Sequence, residues 1–403
     1  MYRNLAEAVV RALDEIFLDA RPADKVIEKI LKSNPKWGAR DRAFIAENTY
    51  EIVRHRRLLS FAVAGADDGW ESVGAWKLLG VRQFLDKKMP ELPAWDEFAN
   101  IRADEVAQKI DEGKKTRKIH FSIPDWIDAV GEKELGAGRW EQELAAMQQA
   151  ASVVIRVNTL KISVARLSDL LKNRDIFTQN VPLAPHALRL EKRANLFGLE
   201  EFKKGYFELQ DAGSQLIAPF LDASAGMRVV DACAGAGGKT LHLAALMHNK
   251  GSIVAMDIEQ WKLEELRRRS RRAGVGNVEP RLIEGSKTVK RIHGSADRLL
   301  LDAPCSGLGV LRRNPDAKWK MKVDFLDKIR STQQDILQNY SKIVRVGGKV
   351  VYATCSLLPS ENELQIQHFI SENPNFRLLA EQTLLPSVFG FDGFYMASLE
   401  RIK

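Results

Sequence analysis

From Met227 onward the chain alternates short apolar runs with helical segments. "MRVVDAC" (227–233), "SIVAMDI" (252–258), "VEPRLIEG" (278–285), "ADRLLLDAPC" (296–305) and "GKVVYATC" (348–355) are each followed by a stretch of helical pattern. Runs of this kind, joined by helices, make a parallel sheet covered on both faces. The pattern predicts a doubly wound α/β sheet. In such sheets ligands bind beyond the carboxyl ends of the strands. Chemistry is therefore to be sought in the loop "CAGAGGKT" (233–240), at Asp257 and Glu284, at Asp302 with Cys305, and at Cys355. Two of the three cysteines thus stand just past strand ends, and facing one crevice they are expected to be neighbours in space.

The upstream sequence has other periods. "LAEAVVRALDEIF" (5–17), "ADKVIEKILK" (23–32) and "DRAFIAENTYEIVRHRRLLSFAVA" (41–64) place apolar residues at three- and four-residue intervals, so residues 1–125 read as a helical domain. "SIPDWI" (122–127) marks a boundary, since Pro124 suits the first turn of a new helix. Residues 126–225 combine the β-branched "SVVIRVN" (152–158), the amphipathic "SVARLSDLLKN" (163–173) and strand candidates at 176–181, 187–191 and 205–209. They read as a small α+β module. The α/β domain then fills 226–403.

Composition narrows the function. Three cysteines with no CxxC argue against a disulfide framework and fit a reducing cytoplasm. No Cys/His cluster has zinc spacing, so no metal is expected. No run reaches the length of a membrane span, and the N-terminus carries no signal-peptide pattern. The net charge of +8 points to a polyanionic partner. Two clusters carry that charge. "LRRRSRR" (266–272) reads as a phosphate-facing stripe or a solvated helix face. "RRNPDAKWKMK" (312–322) sets Arg312, Arg313, Lys318, Lys320 and Lys322 around Trp319, a mixture suited to phosphate contact and base stacking.

The glycine loop fits neither common nucleotide motif. A P-loop would need glycine where Cys233 stands, and a dinucleotide fingerprint begun at Gly235 would need glycine at Thr240. What remains is a tight strand-to-helix turn that lets backbone approach a ligand, with Asp257 placed to accept from ribose hydroxyls. A nucleoside cofactor without pyrophosphate fits, S-adenosylmethionine above all. A structural turn with a surface aspartate is the plainer alternative.

"DACAGAGGKT" (231–240), "LLLDAPCSGLGVLRRNPDAKW" (299–319) and "VVYATCSLLPSENE" (350–363) resemble the nucleoside loop, Pro-Cys motif and Thr-Cys motif of the RsmB/Sun-type RNA (cytosine-5) methyltransferases. "RVNTLK" (156–161), "FELQDAGSQL" (207–216) and "GFDGFYMASLERIK" (390–403) are also similar to segments of that family. The resemblance covers roughly 150–403. Residues 1–120 share a start and helix pattern with the NusB-like domain of its ribosomal-RNA members.

The resemblance implies a class I methyltransferase fold, a Rossmann-like doubly wound sheet preceded by the α+β module and the helical domain. It implies S-adenosylmethionine as cofactor and RNA as partner, with 5-methylcytosine as product. Small-subunit 16S ribosomal RNA is the first expectation and transfer RNA the second, for a cytoplasmic, non-membrane monomer whose upstream domains recognise RNA. It assigns Cys355 as the nucleophile on cytosine C6, Cys305 as the residue aiding product release, and Asp302 as the acidic group between cofactor and base. Cys233, Ala234, Gly235, Ala236, Gly237, Gly238 and Lys239 correspond to the cofactor loop, where Ala236 replaces the family's proline. Asp257, Asp302 and Glu284 complete the cofactor set, Glu284 standing where the family has aspartate. Cys233 has the plainer reading of a packed strand end. Two other classes remain open, a non-catalytic RNA-binding homologue and a DNA methyltransferase.

Other residues carry modest expectations. His242 and His248 are read as packed or solvated, and Asp231 as closing its strand onto loop amides. Glu361 and Glu363 are read as caps of the helix near Ser360, and Arg156 and Asn158 as RNA contacts.

Overall fold

The computed structural model describes residues 1–67, 69–85 and 91–403. They form two compact units, Met1–Gln149 with Leu311–Val323, and Ala150–Val310 with Asp324–Lys403.

The first unit is helical because its apolar residues recur at helical spacing. Leu5, Val9, Leu13 and Ile16 on Arg3–Phe17 share one core with Val26 and Ile30 of Ala23–Ser33 and with Ile45, Ile52 and Leu59 of Ala39–Ala64. Helices Ala75–Leu85 and Ala103–Gly113 pack on the same core. Helices Asp125–Leu135 and Ala137–Gln148 follow within this unit.

Ala39–Ala64 is not straight. His55 leaves helical geometry at φ −106°, ψ 19°, which interrupts the hydrogen-bond ladder. The carbonyls of Val53 and Arg54, just before the kink, accept from outside the helix. Trp319 Nε1 donates to Val53 O at 2.7 Å and Lys318 Nζ to Arg54 O at 2.9 Å. Arg54 returns a bond to Arg312 O at 3.0 Å, and Asp316 accepts the Ala23 N–H at 3.1 Å. Arg312 and Lys318 are buried and Trp319 packs against the helical core. This corrects the expectation that 312–322 is a nucleic-acid surface, because its central donors serve a kinked helix instead.

Lys318 gives a test. Burial, and secondarily the charge of Arg54, holds its ammonium well below the usual lysine range. The unfolded chain keeps that proton up to about pH 10.4. Between the two values the unfolded state binds more protons, so stability rises with pH. In that window Lys318 adds a slope of about 1.4 kcal/mol per pH unit. Lys318→Met is expected to flatten it, as measured by the melting midpoint of this unit against pH.

The second unit opens with strands β1 (Val154–Val157), β2 (Thr178–Val181), β3 (Ala184–Leu190) and β4 (Phe207–Leu209), ordered β2-β3-β1-β4 and antiparallel throughout. Helix Val164–Lys172 buries Leu167 and Leu171 in the core of this small module. The larger sheet comprises β5 (Arg228–Asp231), β6 (Ser252–Asp257), β7 (Val278–Leu282), β8 (Ala296–Asp302), β9 (Val344–Thr354), β10 (Phe376–Leu384) and β11 (Phe394–Arg401). Its order is β10-β11-β9-β8-β5-β6-β7. β5 to β9 pair in parallel, as the alternation predicts, while β11 and β10 add an antiparallel edge. The C-terminal ends of β5, β6, β8 and β9 therefore lie along one rim of the sheet.

The small module is locked to the large one by buried polar contacts. Asn158 Nδ2 donates to Gly205 O and Ala273 O, both at 2.8 Å. Gly205, at φ 71°, lies so close to the Arg272 carbonyl that a Cβ would sit 2.0 Å from its oxygen. Arg156 reaches Gln210 and the Gly238 carbonyl. Both side chains expected to touch RNA thus hold the modules together instead, being 3% and 6% exposed.

Candidate active site

The turn after β5 is shaped by its glycines. Gly237 has φ 86°, and a Cβ there would fall 2.1 Å from Leu266 Cδ1 of helix Gln260–Ala273, so glycine is required. The turn is pinned from both sides. Gly235 N–H donates to Asp257 Oδ2 at 2.8 Å, and Ala236 O accepts from Arg269 at 2.7 Å. Asp231 accepts the Thr240 hydroxyl at 2.7 Å, and burial pushes its carboxyl up to about 7.

Beside this turn lies a cavity of about 790 Å³. Cys233, Gly235, Asp257, Glu284 and Asp302 line it, with Ile258 and Ile283 as apolar wall. Asp257 accepts from the Gly235 and Glu259 N–H groups, using about half of a carboxylate's acceptor capacity and leaving the rest for a ligand's hydroxyls. An acidic strand end, apolar walls and a close backbone turn suit a nucleoside. Ala234, Ala236, Gly237 and Gly238 do not line the cavity. Ala234 packs in the core beneath the turn, and Ala236, Gly237 and Gly238 shape it. Burial pushes the Cys233 thiol up, which suits a cavity wall more than a reactive group.

The sequence reading missed the opposite wall. Thr332, Asp335, Ile336, Asn339 and Tyr340 line it from helix Phe325–Tyr340. Their spacing of three, four, seven and eight residues is one helix face, a signal that was present in the sequence.

At the rim, Lys239 Nζ meets Asp302 Oδ2 at 2.5 Å. Burial alone would lower this ammonium, but Asp302 overcomes it and Lys239 is held above its ordinary range. The two thiols do meet. Cys305 Sγ and Cys355 Sγ are 3.3 Å apart, and the Cys355 N–H also points at Cys305 Sγ at 3.3 Å. Contact with Cys355, then burial, pushes the Cys305 thiol well up, so it is suited to holding a proton.

The remaining expectations divide. His242 is buried, its Nε2 3.3 Å from His186 Nδ1, and His248 is exposed. Glu363 accepts from Thr383 at 2.9 Å, and Glu361 bonds two serines; neither caps the helix Glu363–Glu372, whose N-cap Asn362 makes no side-chain cap bond. On helix Gln260–Ala273, Arg267, Arg268 and Arg271 are exposed. Arg269 and Arg272 instead clamp the buried Glu208 at 3.0 and 2.6 Å.

Comparison with known proteins agrees with this architecture. A family model described as 16S rRNA methyltransferase RsmB/F matches residues 218–400, and a ferredoxin-like domain of RsmF/B-like methyltransferases matches 123–196. The probable ribosomal RNA small subunit methyltransferase B of Synechocystis sp. is 30% identical, over 94% of this chain and 95% of that protein. Its namesake in Bacillus subtilis is 34% identical, over 71% of this chain and 67% of that one. The crystal structure of a methyltransferase homologue from Pyrococcus horikoshii is 28% identical with a TM-score of 0.63, covering 71% of this chain and 97% of that one.

Proposed function

Since this chain belongs to the RsmB/F family of 16S rRNA methyltransferases and takes S-adenosylmethionine as methyl donor, we propose that it methylates carbon 5 of a cytosine in small-subunit ribosomal RNA, through a covalent bond from Cys355. The observation that carries this is the 3.3 Å contact of the two thiols, beside the Lys239–Asp302 pair. Methyl transfer to a nitrogen or oxygen needs no thiol. A reaction that must make and then break a carbon–sulfur bond has use for two.

Cytosine C5 is a poor nucleophile. The Cys355 thiolate adds to C6, forming the S–C6 bond; the C5=C6 pair moves between C5 and C4, and the C4=N3 pair moves to N3. Asp302 stabilises that charge by passing to N3 a proton drawn from the Lys239 ammonium it contacts. S-adenosylmethionine, when bound, would supply a methyl group on positively charged sulfur; C5 takes it with the C4–C5 pair, the sulfur keeps the old bonding pair, and the N3 pair returns to C4=N3 as its proton goes back to the Asp302–Lys239 pair. The C5 proton then leaves with help from Cys305, its bonding pair restores C5=C6, and the C6–S bond breaks to return the Cys355 thiolate. Lys239 keeps the Asp302 carboxyl in place throughout. Exposed Arg267, Arg268 and Arg271 are candidates for RNA phosphates, and the helical unit for wider RNA recognition, in a cytoplasmic monomer.

Bisulfite sequencing of ribosomal and transfer RNA, from cells with and without the gene, tests the reading. Loss of protection at a small-subunit cytosine is expected. Loss confined to transfer RNA would move the substrate, and no loss anywhere would sink the proposal.

Asp257 offers a narrower test. Asp257→Ala removes charged acceptors from the cofactor side of the site and is expected to weaken S-adenosylmethionine by about 1.5–3 kcal/mol. Calorimetry on the folded variant checks it; unchanged affinity would overturn the assignment.

A further inference from the structure

Glu361 lies on the short turn Pro359–Glu361 after β9 and is 0% exposed. Its Oε1 accepts the hydroxyls of Ser306 and Ser356, each at 2.5 Å. Its Oε2 accepts the Ser306 N–H at 2.7 Å and Gln333 Nε2 at 3.1 Å. The two hydroxyls are themselves 3.1 Å apart. Ser306 directly follows Cys305 and Ser356 directly follows Cys355. One carboxyl group therefore holds the residue next to each thiol, and none of its four donors is a cation.

Its surroundings tighten the same two loops. Buried Asn362 accepts from Thr354 at 2.5 Å and donates to Ser356 O at 3.1 Å, bracketing Cys355. Tyr352 donates to the Glu361 carbonyl at 2.7 Å, and Gln333 also reaches Pro304 O at 2.9 Å. β8 and β9 pair in register up to Asp302 opposite Ala353, and beyond that point the ladder no longer fixes the spacing of the loops. Past the ladder, the bonds of Glu361 join the two loops, alongside the Gly309 N–H to Cys355 O bond at 2.9 Å.

We propose that Glu361 is a positioning residue that clamps the two Cys-Ser steps, so that the Cys305 and Cys355 sulfurs stay in contact while the bond to the base is made and broken. The proposal rests on the reading that both thiols take part in methyl transfer. Satisfied hydrogen bonds are what make a buried polar cluster rigid. Glu361→Ala would leave the Ser306 N–H and both hydroxyls without their acceptor. Glu361→Gln can preserve the clamp. Its oxygen can face the Ser306 N–H while its amide nitrogen faces the hydroxyls, which rotate to accept.

The wild-type protein, Glu361→Gln and Glu361→Ala are compared in two assays. The first uses diamide, an azo oxidant, which takes one hydrogen from each thiol to become the hydrazine while the S–S bond forms. Mapping of peptides by mass follows the Cys305–Cys355 bond with time and needs no RNA. The second is single-turnover methyl transfer to small-subunit ribosomal RNA, with S-adenosylmethionine affinity and melting measured alongside. Wild type and Glu361→Gln are expected to form the disulfide at similar rates, and Glu361→Ala more slowly. Methyl transfer should fall by about 100-fold in Glu361→Ala, the usual effect of a displacement near 1 Å, with cofactor affinity unchanged and Glu361→Gln close to wild type. Disulfide formation in Glu361→Ala at the wild-type rate would overturn the proposal. So would joint loss of melting temperature and cofactor binding in both variants, which would make Glu361 a folding residue. If wild type methylates no RNA cytosine while the disulfide contrast holds, the function reading falls and the clamp stands.

Discussion

In Cys355→Ala, methyl transfer to RNA is expected to fall by roughly 10⁴-fold or more, the scale seen when a covalent nucleophile is removed. No enzyme–RNA complex resistant to boiling detergent should form. On the proposed mechanism no bond to C6 is made without the thiolate, and C5 stays unreactive. The change is also local. The Cys355 carbonyl accepts the Gly309 N–H at 2.9 Å and the serine that follows is tied to Glu361. Replacing the side chain leaves that backbone frame in place, so S-adenosylmethionine binding and melting should stay near wild type. A covalent complex in Cys355→Ala would give the attacking role to Cys305.

Cys305→Ala should do the opposite. On the proposed mechanism addition and methyl transfer remain possible because Cys355 keeps its frame, but the residue assigned to help remove the C5 proton is gone. Enzyme is then expected to accumulate bound to RNA, seen as a slower band in denaturing gels that ribonuclease removes. The double variant should show no band, since the bond must form before it can be trapped. Absence of a band in both single variants, with cofactor binding intact, would favour a non-catalytic RNA-binding protein.

The strand ends that carry these residues were legible because a buried parallel strand announces itself by composition, and its C-terminal end is where loops meet ligands. Asp257, Asp302, Cys305 and Cys355 are found that way, and the structure brings the two thiols into contact. Residues whose role depends on distant partners were not legible. Glu361 looks like a helix cap in sequence, and only the approach of Ser306, 55 residues earlier, reveals its other task. Lys318 and Trp319 look like a basic-aromatic surface, because nothing local tells that a kink at His55 leaves two carbonyls facing them. Arg156 and Asn158 are likewise explained only by Gly238, Gly205 and Ala273. The antiparallel edge of β10 and β11 follows from chain reversal at 385–393, which periodicity does not encode.

The placement of Leu311–Val323 in the helical unit also bears on the order of events during synthesis. When Gln149 leaves the ribosome, the described helices of that unit up to Ala137–Gln148 have been made, yet Ala317–Lys320 has not, and the carbonyls of Val53 and Arg54 still lack the donors of Lys318 and Trp319. Those donors are about 170 residues away, which at translation speeds of about 5–20 residues per second is a delay on the order of ten to thirty seconds. In the meantime β5 to β8 and the Cys305 loop are made. The first unit to begin folding is thus completed late, and a fragment cut at residue 149 would carry its described helices up to Ala137–Gln148 while lacking Ala317–Lys320 and the segment that closes it.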